Sequence, residues 1–165
     1  IVGFINIPYA NTSGMCAASK DFQTKFGYIN QSNYTPVAYK LTSEQKAFVE
    51  KVVEGEYGGD SDGCLLIAQC IRDALVDGRF TDARKIRKSV SEGGLGYDGY
   101  KDNASQMAKD AVTKIFDQGM YAVKYKIRYM CTESYFKGNP DDFRHNLPLV
   151  LKYNGITGTV YFFGD

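Results

Sequence analysis

The chain has 165 residues, 44 % of them hydrophobic and 24 % charged, which is the composition of an ordinary globular protein with a real core. Lys and Arg number 20 against 19 Asp and Glu, a net charge of +1 with His145 neutral. That balance argues against a duplex nucleic-acid binder or a polybasic membrane anchor, and the longest apolar run is far short of a membrane span.

Residues 1–40 are rich in Asn, Ser, Thr, Gly and Tyr, with Pro8 and Pro36 as breakers. Val2, Phe4, Ile5 and Ile7 fit a short strand, and Lys20 to Phe26 a turn or two of helix. The stretch reads as an irregular arm laid against the rest, or as a linker. The chain starts Ile1-Val2-Gly3-Phe4, with no initiator Met and no basic leader, so a fragment or processed chain is expected.

From Thr42 the signals sharpen. Thr42-Ser43-Glu44-Gln45 has the form of a capping box. Phe48, Val49, Val52 and Val53 then recur at helical spacing, and the next residue on that face is Glu56, while Glu50 and Glu54 fall off it and read as solvated. A carboxyl at the end of an apolar stripe loses hydration, which raises its pKa and suits it to general acid work near neutral pH. Tyr57 to Gly63 is a turn-rich break, and a second helix follows from about Cys64 with Leu65, Ile67, Ala68, Ile71, Ala74 and Leu75 as apolar positions. Phe80, Ala83, Ile86 and Val90 mark a short third helix. Ser91 to Tyr100 is too glycine-rich for a helix interior. With no preceding strand and no following Lys-Ser/Thr pair it is not a phosphate loop, and it suits a groove wall carrying Tyr97 and Tyr100.

Asn103 to Gln118 predicts a helix with Met107, Ala108, Ala111, Val112, Ile115 and Phe116 on its core face and Gly119 at its C-cap. Ala122 to Arg128 alternates as a half-buried strand should. Met130 to Phe136 follows, closed by Gly138-Asn139-Pro140; Phe143 to Tyr153 carries Leu147, Leu149, Val150 and Leu151, interrupted by Pro148, and Thr157 to Phe163 reads as a last strand. Helices first and strands late indicate an α+β fold with a small antiparallel sheet in the C-terminal third.

Thirteen tyrosines and no tryptophan fit either sugar-stacking faces or a half-wet sheet. Cys16, Cys64, Cys70 and Cys131 lack zinc-site spacing. Cys64 and Cys70 read as small core residues, and one or two disulfides stay open. No metal or other cofactor is expected.

Several segments in order resemble the spore-cortex-lytic, SleB-like cell wall hydrolases. These are Val52-Val53-Glu54-Gly55-Glu56-Tyr57-Gly58-Gly59, Gly63 to Arg72, Lys88-Ser89-Val90 through Gly99-Tyr100, Ala111-Val112, Cys131-Thr132-Glu133-Ser134-Tyr135-Phe136 and Gly155 to Phe163. The resemblance covers about residues 42–165 and leaves residues 1–40 outside. The loop after Glu56 is one residue short of the family's usual spacing, and Thr159 stands where many members carry a histidine.

The resemblance implies a lysozyme-like catalytic domain at 41–165, extracellular or cell-wall associated and of bacterial or bacteriophage origin. It would act as a monomer on peptidoglycan glycan strands, with no nucleic-acid partner and no transmembrane segment. The family's catalytic acid falls on Glu56, and Tyr57, Gln69, Tyr97, Tyr100, Thr132, Glu133 and Tyr135 become the expected substrate contacts. A lytic transglycosylase cutting the MurNAc–GlcNAc bond needs one carboxyl group, first as acid and then as base. A muramidase-type hydrolase of the same bond needs a second carboxylate, with Asp60, Asp62, Asp98 and Glu133 as candidates. A cysteine nucleophile with His145 and a catalytically silent cell-wall-binding module, as in a phage tail, are the other readings.

Overall fold

The computed structural model describes residues 4–6, 28 and 33–164. Strand β1 (Phe4–Asn6) pairs antiparallel with β2 (Val37–Tyr39). Helices α1 (Ser43–Tyr57) and α2 (Ser61–Val76) follow. After two short 3-10 turns come α3 (Gln106–Val112), a π-helical turn (Thr113–Asp117), β3 (Ile127–Thr132) and α4 (Glu133–Gly138). A 3-10 turn then leads to β4 (Leu149–Gly155) and β5 (Gly158–Gly164). The last three strands form an antiparallel sheet in the order β3-β5-β4, so the α+β reading with a C-terminal sheet holds.

The capping box is present: Gln45 N–H donates to the Thr42 hydroxyl at 3.2 Å, and the Gln45 side-chain oxygen accepts from Thr42 N–H at 3.1 Å. Val49, Val52 and Val53 are fully buried, each contributing roughly 1.5–3 kcal/mol relative to exposure. Helix α2 is buried at every residue from Gly63 to Leu75, as a helix surrounded by other elements must be.

Two charged residues are buried in that helix, and they tie the fold together. Arg72 is fully buried. Its Nη1 donates to the carbonyls of Val37 (3.1 Å), Ile115 (3.0 Å) and Met120 (2.6 Å), and its Nη2 to the Tyr34 hydroxyl at 2.6 Å. Asp73 takes hydrogen bonds from Tyr34, Gln69, the Ile127 amide and Arg72 Nε. Burial raises the Asp73 pKa, opposed chiefly by the Arg72 charge. Tyr34 and Val37 belong to the expected arm, so this network fastens the 33–39 segment to α2.

The structure departs from the sequence expectations at definite points. The predicted third helix is two 3-10 turns, Ala83–Lys85 and Val90–Glu92. Asp82 and Ser89 each cap a new turn, and the chain folds back so that Leu95 N–H reaches the Ile86 carbonyl at 3.1 Å. The helix predicted from Asn103 starts at Gln106, because Ser105 caps it, and Met107 on its supposed core face is 39 % exposed. Residues 122–126 form no strand. Gln69 occupies their backbone instead: its Oε1 accepts from Ala122 and Val123 N–H (2.7 and 3.0 Å), and its Nε2 donates to the Val123 and Tyr125 carbonyls (2.8 and 3.0 Å). β3 ends at Thr132, whose hydroxyl caps α4 by accepting from Tyr135 N–H at 3.2 Å.

Cys64, Cys70 and Cys131 are free and buried, so no disulfide joins them. Cys16 and the helical turn expected at residues 20–26 lie outside the described residues.

Candidate functional site

Glu56 sits in the last turn of α1, where the loop 96–100 lies flat on the helix. Contact this close requires glycine on both sides. A Cβ at Gly55 would overlap the Tyr100 amide, and one at Gly99 would lie 2.6 Å from the Glu56 nitrogen and 2.9 Å from its carboxyl carbon. The loop brings a donor with it: Gly99 N–H hydrogen-bonds Glu56 Oε1 at 2.7 Å.

Glu56 is half-buried, and burial raises its pKa above the ordinary glutamate value. The Gly99 amide opposes that shift, the Asp98 charge adds to it, and the Asp98 amide and the Arg87 charge oppose it. Two residues earlier the electrostatics reverse. Glu54, expected to be solvated, is only 9 % exposed and accepts from the Ser105 amide at 2.7 Å. Hydrogen bonding from Ser105 lowers its pKa. The sequence pattern misjudged Glu54 because the 96–105 segment covers a face of α1 that a lone amphipathic helix would leave in water.

Glu56 opens into a groove of about 380 Å³. Asp98 and Gly96 line it on the loop side, Met130, Cys131 and Thr132 come from β3, and Tyr135 and Arg144 complete the lining. An adjoining lobe of about 370 Å³ shares Gly96, Met130, Tyr135 and Arg144 and runs along Ser89, Ser91, Asp142 and Phe143. Arg144 Nη1 donates to both carboxylate oxygens of Asp142 (2.8 and 2.9 Å), and the guanidinium lies over the Phe143 ring. Tyr135 and Phe143 are 48 % and 39 % exposed, so aromatic faces are presented along the groove.

The expected substrate contacts divide. Thr132 and Tyr135 share the groove with Glu56. Tyr97 borders only the outer lobe and is otherwise core, 3 % exposed and with its hydroxyl on the Cys70 thiol. Tyr100 packs on the outer side of the loop between Phe48, Lys51 and Arg87. Tyr57 is buried edge-on against Tyr153. Gln69 is fully buried and committed to the 122–125 backbone, so it serves the fold and not the groove. Glu133 accepts from the Tyr161 hydroxyl and pairs with Lys137, and it is not among the residues lining the groove; the Tyr161 hydrogen bond holds its pKa below the usual value.

Of the four candidate second carboxylates, only Asp98 lines the groove with Glu56. Asp60 is buried as the N-cap of α2 and accepts from Gly63 N–H, the Tyr153 hydroxyl and Ile156 N–H. Asp62 borders a separate depression beside the β4–β5 turn. His145 stacks on Phe136 with ring centroids 3.8 Å apart, and its Nε2 meets the Phe136 carbonyl at 2.9 Å. No imidazole lines the groove beside Cys131, whose thiol pKa is raised by burial. A thiol nucleophile needs a positioned base, so the geometry does not favour that reading.

Arg144, Met130 and Cys131 were not anticipated as groove residues. Asp142 and Arg144, two apart with Phe143 between them, carry the local signal of a fixed ion pair, but nothing local ties that pair to Glu56. No described helix is long and apolar enough to cross a membrane. No protein-family model matches the chain, and no curated protein or solved structure matches it significantly.

Proposed function

We propose that this chain is a peptidoglycan-cleaving glycosidase acting outside the cell or at the cell wall, with Glu56 as its general acid and base. One observation carries the proposal: Glu56 is a half-buried carboxyl of raised pKa, held by the Gly99 amide and opening into a groove lined by an exposed tyrosine. The ordered resemblance to SleB-like hydrolases supplies the substrate class.

In the reaction, protonated Glu56 donates to the glycosidic oxygen between MurNAc and GlcNAc as the C1–O bond breaks. The 6-hydroxyl of the same muramic acid then closes on C1, and its proton returns to Glu56. The product end is a 1,6-anhydro sugar, and the enzyme regains its starting protonation state. One carboxyl group suffices, which agrees with the departure of Asp60, Asp62 and Glu133 from the groove.

Asp98 favours a second reading. It is exposed, it lines the groove, and its charge acts on Glu56. A water held by Asp98 and delivered to C1 would make the same site a muramidase-type hydrolase with a reducing product end. Mass analysis of fragments from digested purified cell walls separates the two. Anhydro ends support the transglycosylase, reducing ends together with loss of activity in Asp98→Asn support the hydrolase, and absence of any cleavage at every pH tried contradicts both.

A further inference from the structure

The Asp98–Gly99 peptide unit is held at both ends. Its N–H donates to Glu56 Oε1 at 2.7 Å, and its carbonyl accepts from Arg87 Nη2 at 3.1 Å. Guanidinium, peptide and carboxylate therefore form one hydrogen-bonded chain. Arg87 is further located by the Tyr100 ring, 5.1 Å from its centroid, and the peptide cannot drift because Gly99 lies in backbone contact with Gly55 and Glu56.

We propose that Arg87 is a positioning residue for Glu56: through the Asp98–Gly99 peptide, its guanidinium orients and polarises the Gly99 amide that binds the carboxylate. A cation on a peptide carbonyl draws electron density from the amide, making the N–H a stronger donor. A stronger donor favours ionised Glu56 over its protonated form. Arg87 thus acts against the desolvation that raises the Glu56 pKa, keeping the carboxyl able to release its proton as well as to hold it.

The other groups facing Glu56 give the test its controls. Asp98 comes from the same loop and opposes Arg87 in sign. Tyr57 and Tyr97 feel the Glu56 charge, but burial pushes Tyr57 up to about 12 and Tyr97 well above the ordinary tyrosine value. Burial likewise raises the Cys131 thiol pKa, so all three stay neutral through the acidic range. Arg144 also lines the groove, paired with Asp142.

The catalytic consequence rests on the function proposed above; the hydrogen-bonded chain does not. The experiment is therefore a carbon-13 NMR titration of the Glu56 carboxyl, which needs no activity. In Arg87→Gln the midpoint should rise by roughly half a pH unit, about a threefold change in the ionisation ratio. The Gly99 amide proton should follow Glu56 ionisation with reduced amplitude and exchange faster with solvent. Lys88→Gln removes the same charge from the neighbouring position and should leave the midpoint near wild type. Asp98→Asn should lower it. If the glycosidase reading holds, the alkaline limb of the pH–activity profile moves upward in Arg87→Gln by the same amount as the NMR midpoint. Should Arg87→Gln fold poorly, Gly99 amide exchange in folded Arg87→Met gives the second reading, because methionine keeps an unbranched stem and removes both the charge and the donor; unchanged exchange there would overturn the proposal. An unmoved Glu56 midpoint in folded Arg87→Gln, or an equal shift in Lys88→Gln, overturns it as well.

Discussion

Gly55 on α1 and Gly99 in the following loop lie backbone against backbone, and that contact delivers the Gly99 amide to Glu56. In a free helix, Gly55→Ala would gain about 1 kcal/mol of propensity. Here the added methyl overlaps the Tyr100 amide, and overpacking of this kind typically costs about 1–3 kcal/mol. Gly55→Ala should therefore lower the melting temperature and displace the loop from Glu56. A variant more stable than wild type would show that the loop yields without cost.

Glu54 and Glu56 should respond oppositely to pH. Glu56 has a raised folded pKa, so its favourable contribution is complete below the ordinary glutamate value and is lost as pH rises through the folded pKa. Glu54 has a lowered folded pKa, so its contribution is present above the ordinary value and is lost as pH falls through the folded pKa. At neutral pH, Glu56→Gln should raise the melting temperature and Glu54→Gln lower it. Both differences should shrink as the pH drops below the ordinary glutamate value. Thermal melts across pH test this directly, and equal signs for the two variants at neutral pH would contradict it.

Arg72→Met removes the cation that satisfies Asp73, Tyr34 and three carbonyls. Breaking one partner of a buried pair typically costs about 3–5 kcal/mol, and denaturant unfolding should show a loss of that size. Arg72→Met with Asp73→Leu should recover part of it, because no buried charge is left alone.

Tyr135 and Tyr97 should part company on truncation. Tyr135 is 48 % exposed in the groove, whereas Tyr97 is 3 % exposed in the core. Tyr135→Ala should weaken glycan binding with little change in melting temperature. Tyr97→Ala should lose roughly 3–5 kcal/mol of stability, as large aromatic truncations in cores do. Binding isotherms and melts on both variants check the division.

Much of the frame was legible because it is local. The Thr42 capping box, the Val49–Val52–Val53 stripe, the apolar α2, the left-handed Gly119 and the closing strand each follow from residues a few positions apart. So did the unusual place of Glu56. What was not legible depends on partners far along the chain. Gln69 takes the place of a strand for residues 122–125, Ser105 buries Glu54, and Arg72 ties α2 to Tyr34 and Val37. A polar residue on an all-apolar helix signals that a partner exists, but not which one. The expected substrate tyrosines divided for the same reason, since tyrosine serves the core at positions 57 and 97 and the groove at 135.

In the proposed reaction Glu56 alone carries proton transfer in this groove. General acid–base catalysis commonly contributes about 10²–10⁴-fold. The measurement is turbidity loss and end-group analysis of purified cell walls with wild type, Glu56→Gln and Asp98→Asn. Wild type should release fragments with 1,6-anhydro-muramic acid ends, Glu56→Gln should fall by at least about 10²-fold while remaining folded, and Asp98→Asn should keep most of its activity. Cleavage by Glu56→Gln at the wild-type rate, or walls left intact by wild type across the pH range, would contradict the claim.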